Sequence, residues 1–283
     1  MPLVSVLTTS YNRADFISEA IESVLASTFE DFEYIIVDDR STDDTYEIAK
    51  AYQTRDQRVR VYQNEKNLGD YPNRNQAASY AAGTYLKYLD SDDIMYPHCL
   101  DVMVRCMQKY PNAGLGLCAF SDVNAPFPSV ETPRSGYLKN FMEIDLFGRA
   151  PGSAIIRRDA FDAVGGFTGK RQIGDHELWL MIARQYDVVR MPRDLVWDRQ
   201  HEQKESLYDD AFKKAAMHLE IVVNAIMAND CPLTTSEKRA VGDQLRSSYN
   251  KQFIRELIRG RIKNAMLARK MVKMTRPLTR NAE

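Results

Sequence analysis

The chain of 283 residues has no stretch approaching the roughly 20 consecutive apolar residues that a membrane-spanning helix needs. Its first dozen residues, MPLVSVLTTSYN, carry neither a basic leader nor a long apolar core, and they read as a strand rather than a signal peptide. There are only four cysteines, Cys99, Cys106, Cys118 and Cys231, and their spacing matches no zinc motif. Few thiols in apolar surroundings fit a reducing compartment and a structural role, so the expected location is cytoplasmic. A Walker loop is missing. The run GLGLCA (114–119) has the letters of a dinucleotide fingerprint, but it lies inside an apolar strand and opens no helix. An EF-hand is excluded because Met95 stands where the glycine after Asp90 is required.

What is present is the composition of an ordinary globular protein: 44% hydrophobic and 27% charged, with a net charge of −1. Over the first ~120 residues, apolar β-branched runs alternate with segments of helical spacing. LVSVLT, YIIVDD, RVRVYQ, YLKYLD and AGLGLCAF read as strands. Between them, DFISEAIESVLAS starts with Asp15 as its expected N-cap, and STDDTYEIAKAYQ places Ser41 and Asp44 at capping-box spacing. RNQAASYAAG reads as a helix ended by Gly83, and PHCLDVMVRCMQKY as a helix with Pro97 near its first turn. This alternation predicts an α/β fold around a mostly parallel sheet with right-handed crossovers.

Residues ~121–150 hold prolines at 126, 128 and 133 and read as a loop followed by a short helix around Leu138 to Phe147. From ~151 to 200 the expected order is strand GSAIIRR, helix DAFDAV, turn GGF, helix DHELWLMIARQY and strand DVVRMP. From ~207 the chain is expected to be helical, with Thr234 and Glu237 forming a capping box.

In open parallel sheets, ligands bind at the carboxyl ends of the strands. Strand one ends in TTSYNR, strand two in Asp38 and Asp39, and strand four in Asp90, Ser91, Asp92 and Asp93. So many acids at the end of a buried strand are either caps for the next helix or oxygen ligands for a divalent cation. A site with few protein carboxylates and room for other oxygens is how Mg²⁺ or Mn²⁺ holds a nucleotide diphosphate.

The stretches VSVLTTSYNR, YIIVDDRSTDDT, NLGDYPNRNQA, YLKYLDSDD, GGF, GDHELWL and RQHEQKES occur in an order that resembles the family 2 glycosyltransferases of the GT-A fold, over about residues 3–206. The resemblance implies a GT-A domain over 1–206, with a nucleotide-binding half (1–120) and an acceptor and catalytic-base half (121–206). It leaves 207–283 as a helical extension.

It also implies roles. Thr9 and Tyr11 would hold the donor's base, with Tyr11 stacking on it, and Asp39 would accept from the base imide. Arg74 would lie beside the nucleotide. Asp92 would bind metal directly, and Asp90 would approach the ribose, or the metal through water. Arg13 and Ser91, on the same loops, join the nucleotide-sugar set. Asp175 would be the general base, and His201 would complete the metal shell near the diphosphate. The chain departs from the pattern at Gly174, where a Glu usually precedes the base, and Glu177 is a nearby rival carboxylate.

The implied activity is inverting, metal-dependent transfer from a nucleotide-diphosphate sugar, with UDP favoured, to an acceptor hydroxyl. Saccharides and lipid-linked saccharides of bacterial polysaccharide or glycolipid assembly are the implied acceptors. A sugar-nucleotide nucleotidyltransferase would want a glycine-rich basic loop after strand one, and TTSYNRADF has no glycine. A non-catalytic nucleotide-binding assembly protein would not need Asp92, Asp175 and Arg74 together.

Plainer readings stand beside these. Asp93 could be only a cap, Asp175 could be the N-cap of its helix, and Trp179 fits the apolar helix face with Leu178 and Ile182. Residues 251–283 hold ten Lys or Arg against Glu256 and Glu283, a balance of +8, interleaved with apolar residues at helical spacing. Such a helix packs on protein, in the same chain or a second copy, or lies on an anionic membrane surface. Nothing in it points to nucleic acid.

Overall fold

The computed structural model describes residues 1–120, 126–170, 173–202 and 211–279. Contacts divide the chain into two units. One comprises Met1–Thr132 with Gly148–His201, and the other Pro133–Phe147 with Glu202–Glu283.

The first unit begins with β1 (Val4–Ser10), α1 (Ile17–Leu25), β2 (Phe32–Asp38), α2 (Thr45–Gln53) and β3 (Val59–Gln63). There follow α3 (Asp70–Tyr80), β4 (Tyr85–Tyr88), the short β5 (Ile94–Met95), α4 (Cys99–Lys109), β6 (Ala113–Phe120) and β7 (Ser129–Glu131). The chain then contributes α5 (Pro133–Leu138) and a π-helical turn (Lys139–Glu143) to the second unit. It returns with β8 (Ala154–Arg157), α6 (Arg158–Ala163), α7 (Gly174–Ala183), β9 (Asp187–Pro192) and the short β10 (Val196–Trp197). The second unit is completed by α8 (Ala211–Met227), α9 (Thr235–Ile258), α10 (Ile262–Met274) and α11 (Arg276–Thr279).

The main sheet runs β3-β2-β1-β4-β8-β6-β9-β7. It is mostly parallel, as the strand–helix alternation requires. β8 enters antiparallel between β4 and β6, and β7 lies antiparallel on β9. Neither is reached by the strand–helix–strand crossover that gives the parallel pairs of β1 to β4. The chain moves outward from β1 to β2 to β3, then returns to place β4 on the other side of β1. The β1/β4 junction is therefore the switch point where the strand ends open a crevice.

The central strands β1, β2 and β4 are buried on both faces and almost wholly inaccessible. α1 turns Ile17, Ala20, Ile21 and Val24 inward, which is the expected helical stripe. Cys99 and Cys106 share the buried face of α4, and burial pushes the Cys99 thiol up to about 12, so it is a packing group. Trp179 is fully buried and donates its indole N–H to the Arg149 carbonyl at 2.8 Å, which is the core role.

Several local expectations are corrected. The N-cap of α1 is Phe16, not Asp15, and the Arg13 carbonyl takes the N–H groups of Phe16 and Ile17. Ser41 and Asp44 form no capping box. Ser41 bonds the Asp38 carboxylate instead, and the Thr45 N–H goes to Asp43 at 3.1 Å. Pro97 precedes the N-cap His98. α3 starts at Asp70, earlier than expected, and ends in extended Ala81. Gly83 is not its cap but a point of close approach, because a Cβ there would lie 2.6 Å from the Ser5 backbone nitrogen. The expected helix over Leu138 to Phe147 is instead α5 and the π-helical turn, and it groups with the C-terminal helices rather than with the acceptor half. Residues 207–210 of the expected C-terminal helix lie outside the described residues. The Thr234–Glu237 capping box is present.

Replacing Gly83 by Ala forces a methyl against backbone that cannot yield. The expected loss is about 1–3 kcal/mol of unfolding free energy in urea denaturation, and an unchanged midpoint would show that the strand edge can relax.

Candidate active site

The site grows from adjacent strand ends. Ser10 pairs with Asp38 across β1 and β2, and the Asp39 N–H donates to the Ser10 carbonyl at 2.8 Å. On the other side, the Leu89 N–H donates to the Leu7 carbonyl at 3.0 Å, so the loop after β4 leaves next to the loop after β1. After that loop, β5 pairs antiparallel with β10, with Met95 opposite Val196 and Ile94 opposite Trp197. This pairing carries Arg199 and His201 back to the Asp90–Asp93 turn across more than 100 residues of sequence.

Each acid of the turn has a different partner. The Asp90 carboxylate accepts from Arg74 Nη2 at 2.8 Å. Asp92 Oδ2 accepts from Arg13 Nε at 3.1 Å and lies 3.0 Å from His201 Nε2. Asp93 accepts from the Arg199 N–H at 3.0 Å, so it is an anchor for the returning loop rather than a helix cap. Arg199 Nε also donates to the Asp92 carbonyl at 2.9 Å, and its guanidinium lies over the Phe16 and Trp197 rings. The His201 ring packs on Phe16 with centroids 4.6 Å apart. Ser91 is buried in the same turn.

Arg74 is buried on α3 between two carboxylates, with Nε donating to Asp70 at 2.7 Å and Nη2 to Asp90. Burial alone would lower its pKa. The charges of Asp70 and Asp90 outweigh that and hold the guanidinium well above its ordinary value. Its Nη1 is buried and has no acceptor among the described residues.

Asp39 is buried and accepts from Asn64 Nδ2 at 2.7 Å, the Leu68 N–H at 2.8 Å and the Gly69 N–H at 2.8 Å. Three donors leave about one of the four lone-pair sites of a carboxylate unused. Thr9 is partly buried at the end of β1, while the Tyr11 ring is 46% exposed and open to a stacking partner.

Asp175 sits in the first turn of α7, one residue inside a helix whose N-cap is Ile173. It is therefore not the N-cap. Its carboxylate accepts from the His176 N–H at 2.8 Å. Burial pushes its pKa above the usual aspartate value, while the His176 N–H, Arg74 and the Tyr71 hydroxyl pull it back. Glu177 bonds Thr168 and pairs with Lys170 at 2.6 Å, so it is already committed.

The Gly174 departure has a physical reason. A Cβ at Gly174 would lie 2.8 Å from the Tyr71 ring, which occupies that space and stacks on Phe167 of the GGF turn at 5.0 Å. Tyr71, Asp70 and Arg199 are site residues that the sequence reading missed. The only signals were an aromatic beside Arg74 in NLGDYPNRN and the missing side chain at 174. Of RQHEQKES, residues 203–206 lie outside the described residues.

With respect to metal, Asp92 Oδ2 and His201 Nε2 lie 3.0 Å apart and bond to each other, with Arg13 Nε on the same oxygen, so a cation there would replace these contacts. The described residues include no cluster of three or more His, Cys, Asp or Glu able to hold an ion. Two protein ligands suit a cation held mainly by phosphate oxygens and water, so the residues fit.

Replacing Tyr71 by Phe removes one hydrogen bond that favours the ionised carboxylate. The Asp175 titration, followed by carboxyl NMR, should move upward in pH. A downward or absent movement would remove Tyr71 from that role.

The Glycosyl transferase family 2 profile matches residues 5–165, more than half of the chain. TuaG of Bacillus subtilis, named for teichuronic acid biosynthesis, is 41% identical over 120 residues, covering 42% of this chain and 45% of TuaG. The match thus spans less than half of that relative. S. aureus TarS 1-349, crystallised with UDP-GlcNAc, superposes with a TM-score of 0.70 at 16% identity, over 97% of this chain and 91% of that one. The mannosyltransferase PcManGT of Pyrobaculum calidifontis, in complex with GDP-Man and Mn²⁺, superposes with a TM-score of 0.58 at 16% identity, over 98% and 87%. The fold is the GT-A fold with a helical C-terminal unit, and the chain belongs to glycosyl transferase family 2.

Proposed function

We propose that the protein transfers a sugar from a nucleotide-diphosphate donor, with UDP as the nucleotide, to an acceptor hydroxyl with inversion at the anomeric carbon. The observation that carries this reading is the buried, unused Nη1 of Arg74 at the strand rim where Asp90, Asp92 and His201 converge. A fixed cationic donor held by two carboxylates is pre-organised for an anionic ligand and needs no rearrangement to receive one. The UDP-GlcNAc bound by TarS supports the choice of nucleotide.

In this reading the Tyr11 ring stacks on the base, with Thr9 beside it, and the remaining acceptor site of Asp39 takes the base imide. Asp90 and Ser91 face the ribose and sugar. Arg13 moves from Asp92 toward the phosphates. Asp92 and His201 hold the divalent cation, Mg²⁺ or Mn²⁺, a choice supported by the Mn²⁺ of PcManGT. Bound there, the cation supplies positive charge to the diphosphate leaving group.

Asp175 accepts the proton of the acceptor hydroxyl on the sugar face opposite the leaving group, which is what inverts the centre. The positive end of α7 keeps its carboxylate ionised against the effect of burial. A saccharide or lipid-linked saccharide acceptor in polysaccharide assembly is supported by the name of TuaG over the aligned region.

Asp175→Asn should lower transfer by about 10²–10⁴-fold while UDP affinity stays near wild type. Wild-type turnover in that variant would move the base elsewhere. Asp92→Ala should remove most of the Mn²⁺-dependent gain in UDP affinity measured by calorimetry. Equal affinity with and without the substitution would sink the metal role.

A further inference from the structure

The helical unit has a surface that its own core does not use. α10 buries Ala265, Ala268 and Met271, and α11 buries Leu278 against Gly242 of α9. A second set of apolar side chains is left out. Ile254, Leu257, Ile258, Ile262 and Met266 are between 44% and 82% exposed, with Ile258 the most open. They gather at one corner, where α9 ends, Gly260 turns the chain at φ +68° and α10 begins. The corner is firmly built. The Arg259, Gly260 and Arg261 N–H groups bond back to the carbonyls of Arg255, Leu257 and Glu256, and the buried Glu256 side chain takes Asn264 Nδ2 at 3.3 Å.

The exposed charge contributed by residues 251–279 has one sign. Between residues 251 and 279 the cations are Lys251, Arg255, Arg259, Arg261, Lys263, Arg269, Lys270, Lys273 and Arg276, and all are exposed. The only acid in that span, Glu256, is 4% exposed and faces inward. Lys251, Arg255 and Arg259 recur every fourth residue beside Ile254 and Ile258, so an aliphatic tip is flanked along its length by cations.

We infer that this corner docks on the surface of an anionic lipid bilayer, with Leu257, Ile258, Ile262 and Met266 entering the headgroup–acyl boundary and the flanking cations meeting lipid phosphates. Aliphatic side chains ringed by Lys and Arg are what an anionic interface retains, by apolar burial and by charge together. A second copy of the chain presents the same cations and would bring like charges face to face. Single-stranded nucleic acid wants exposed aromatic platforms, and the one aromatic here, Phe253, is half-buried under Arg269. The inference is independent of the catalytic reading, because no residue of the candidate active site takes part.

The test is co-sedimentation of the full chain with two vesicle types, pure phosphatidylcholine and a mixture containing about one third phosphatidylglycerol. The expected result is partition to the anionic vesicles only, weakened by added salt. The double variant Ile258→Asp/Ile262→Asp should lower that partition by roughly tenfold or more, and Lys263→Glu/Lys270→Glu should lower it as well. All four side chains are exposed, so thermal melts of both variants should match wild type, which separates lost docking from lost folding. No partition to anionic vesicles, or equal partition by the Asp variant, would overturn the inference. So would concentration-dependent dimerisation abolished by the Asp variant in the absence of vesicle binding, since the corner would then belong to a second copy.

Discussion

Asp90, Asp92 and Asp93 crowd three negative charges into four residues at the end of one buried strand, and the architecture of the first unit follows from how that charge is answered. Unpaired, such carboxylates would repel one another and resist burial. Each instead has a separate donor from a separate part of the chain: Arg74 of α3, Arg13 of the loop after β1, and the Arg199 N–H beyond β10. A single cation serving all three would have left the loops independent. Three separate answers draw one helix and two loops together at one rim, so the charge problem of β4 organises the rim. Removing a donor from a buried carboxylate costs more than that donor's net contribution to stability.

Arg74 shows why this rim is built rather than merely neutralised. Its guanidinium is buried and shared between Asp70 and Asp90, and its field also reaches Asp175 and favours that carboxylate's ionised form. One rigid cation thus touches the loop that would hold the donor and tunes the group that would accept the proton. A lysine could not do this, because a point charge on a flexible stem cannot fix two carboxylates in plane.

Much of this was legible in the sequence, for a definite reason. Buried parallel strands are nearly continuous apolar runs, and the residues that follow them must be polar, so YIIVDD and YLKYLD each announce both an element and a rim. The caps of α1 and α2 are hard to read from sequence because Ser and Asp near a helix start compete for several backbone and side-chain partners. Ser41 has the spacing of a cap, but its N–H and its hydroxyl both donate to the buried Asp38 carboxylate, which draws the side chain away from the open N–H groups of α2. Asp93 has the look of a cap, and the Arg199 N–H claims it across 106 residues of separation. The antiparallel entry of β8 and the grouping of 133–147 with the C-terminal helices were not visible either. No local pattern records which distant segment a proline-punctuated loop will join.

Gly174 carries the same lesson in the other direction. As a letter it is a departure, a missing acid beside the candidate base. In three dimensions it is half of a pair, since Tyr71 fills the volume a side chain at 174 would need, and its hydroxyl favours the ionised Asp175. An acid at 174 would place a second negative charge next to a carboxylate whose pKa burial already raises, and raise it further. A neutral phenol in that volume excludes water while supplying a hydrogen bond. Substituting Gly174 alone would therefore not restore the common pattern: it would collide with Tyr71, and both positions would have to change together.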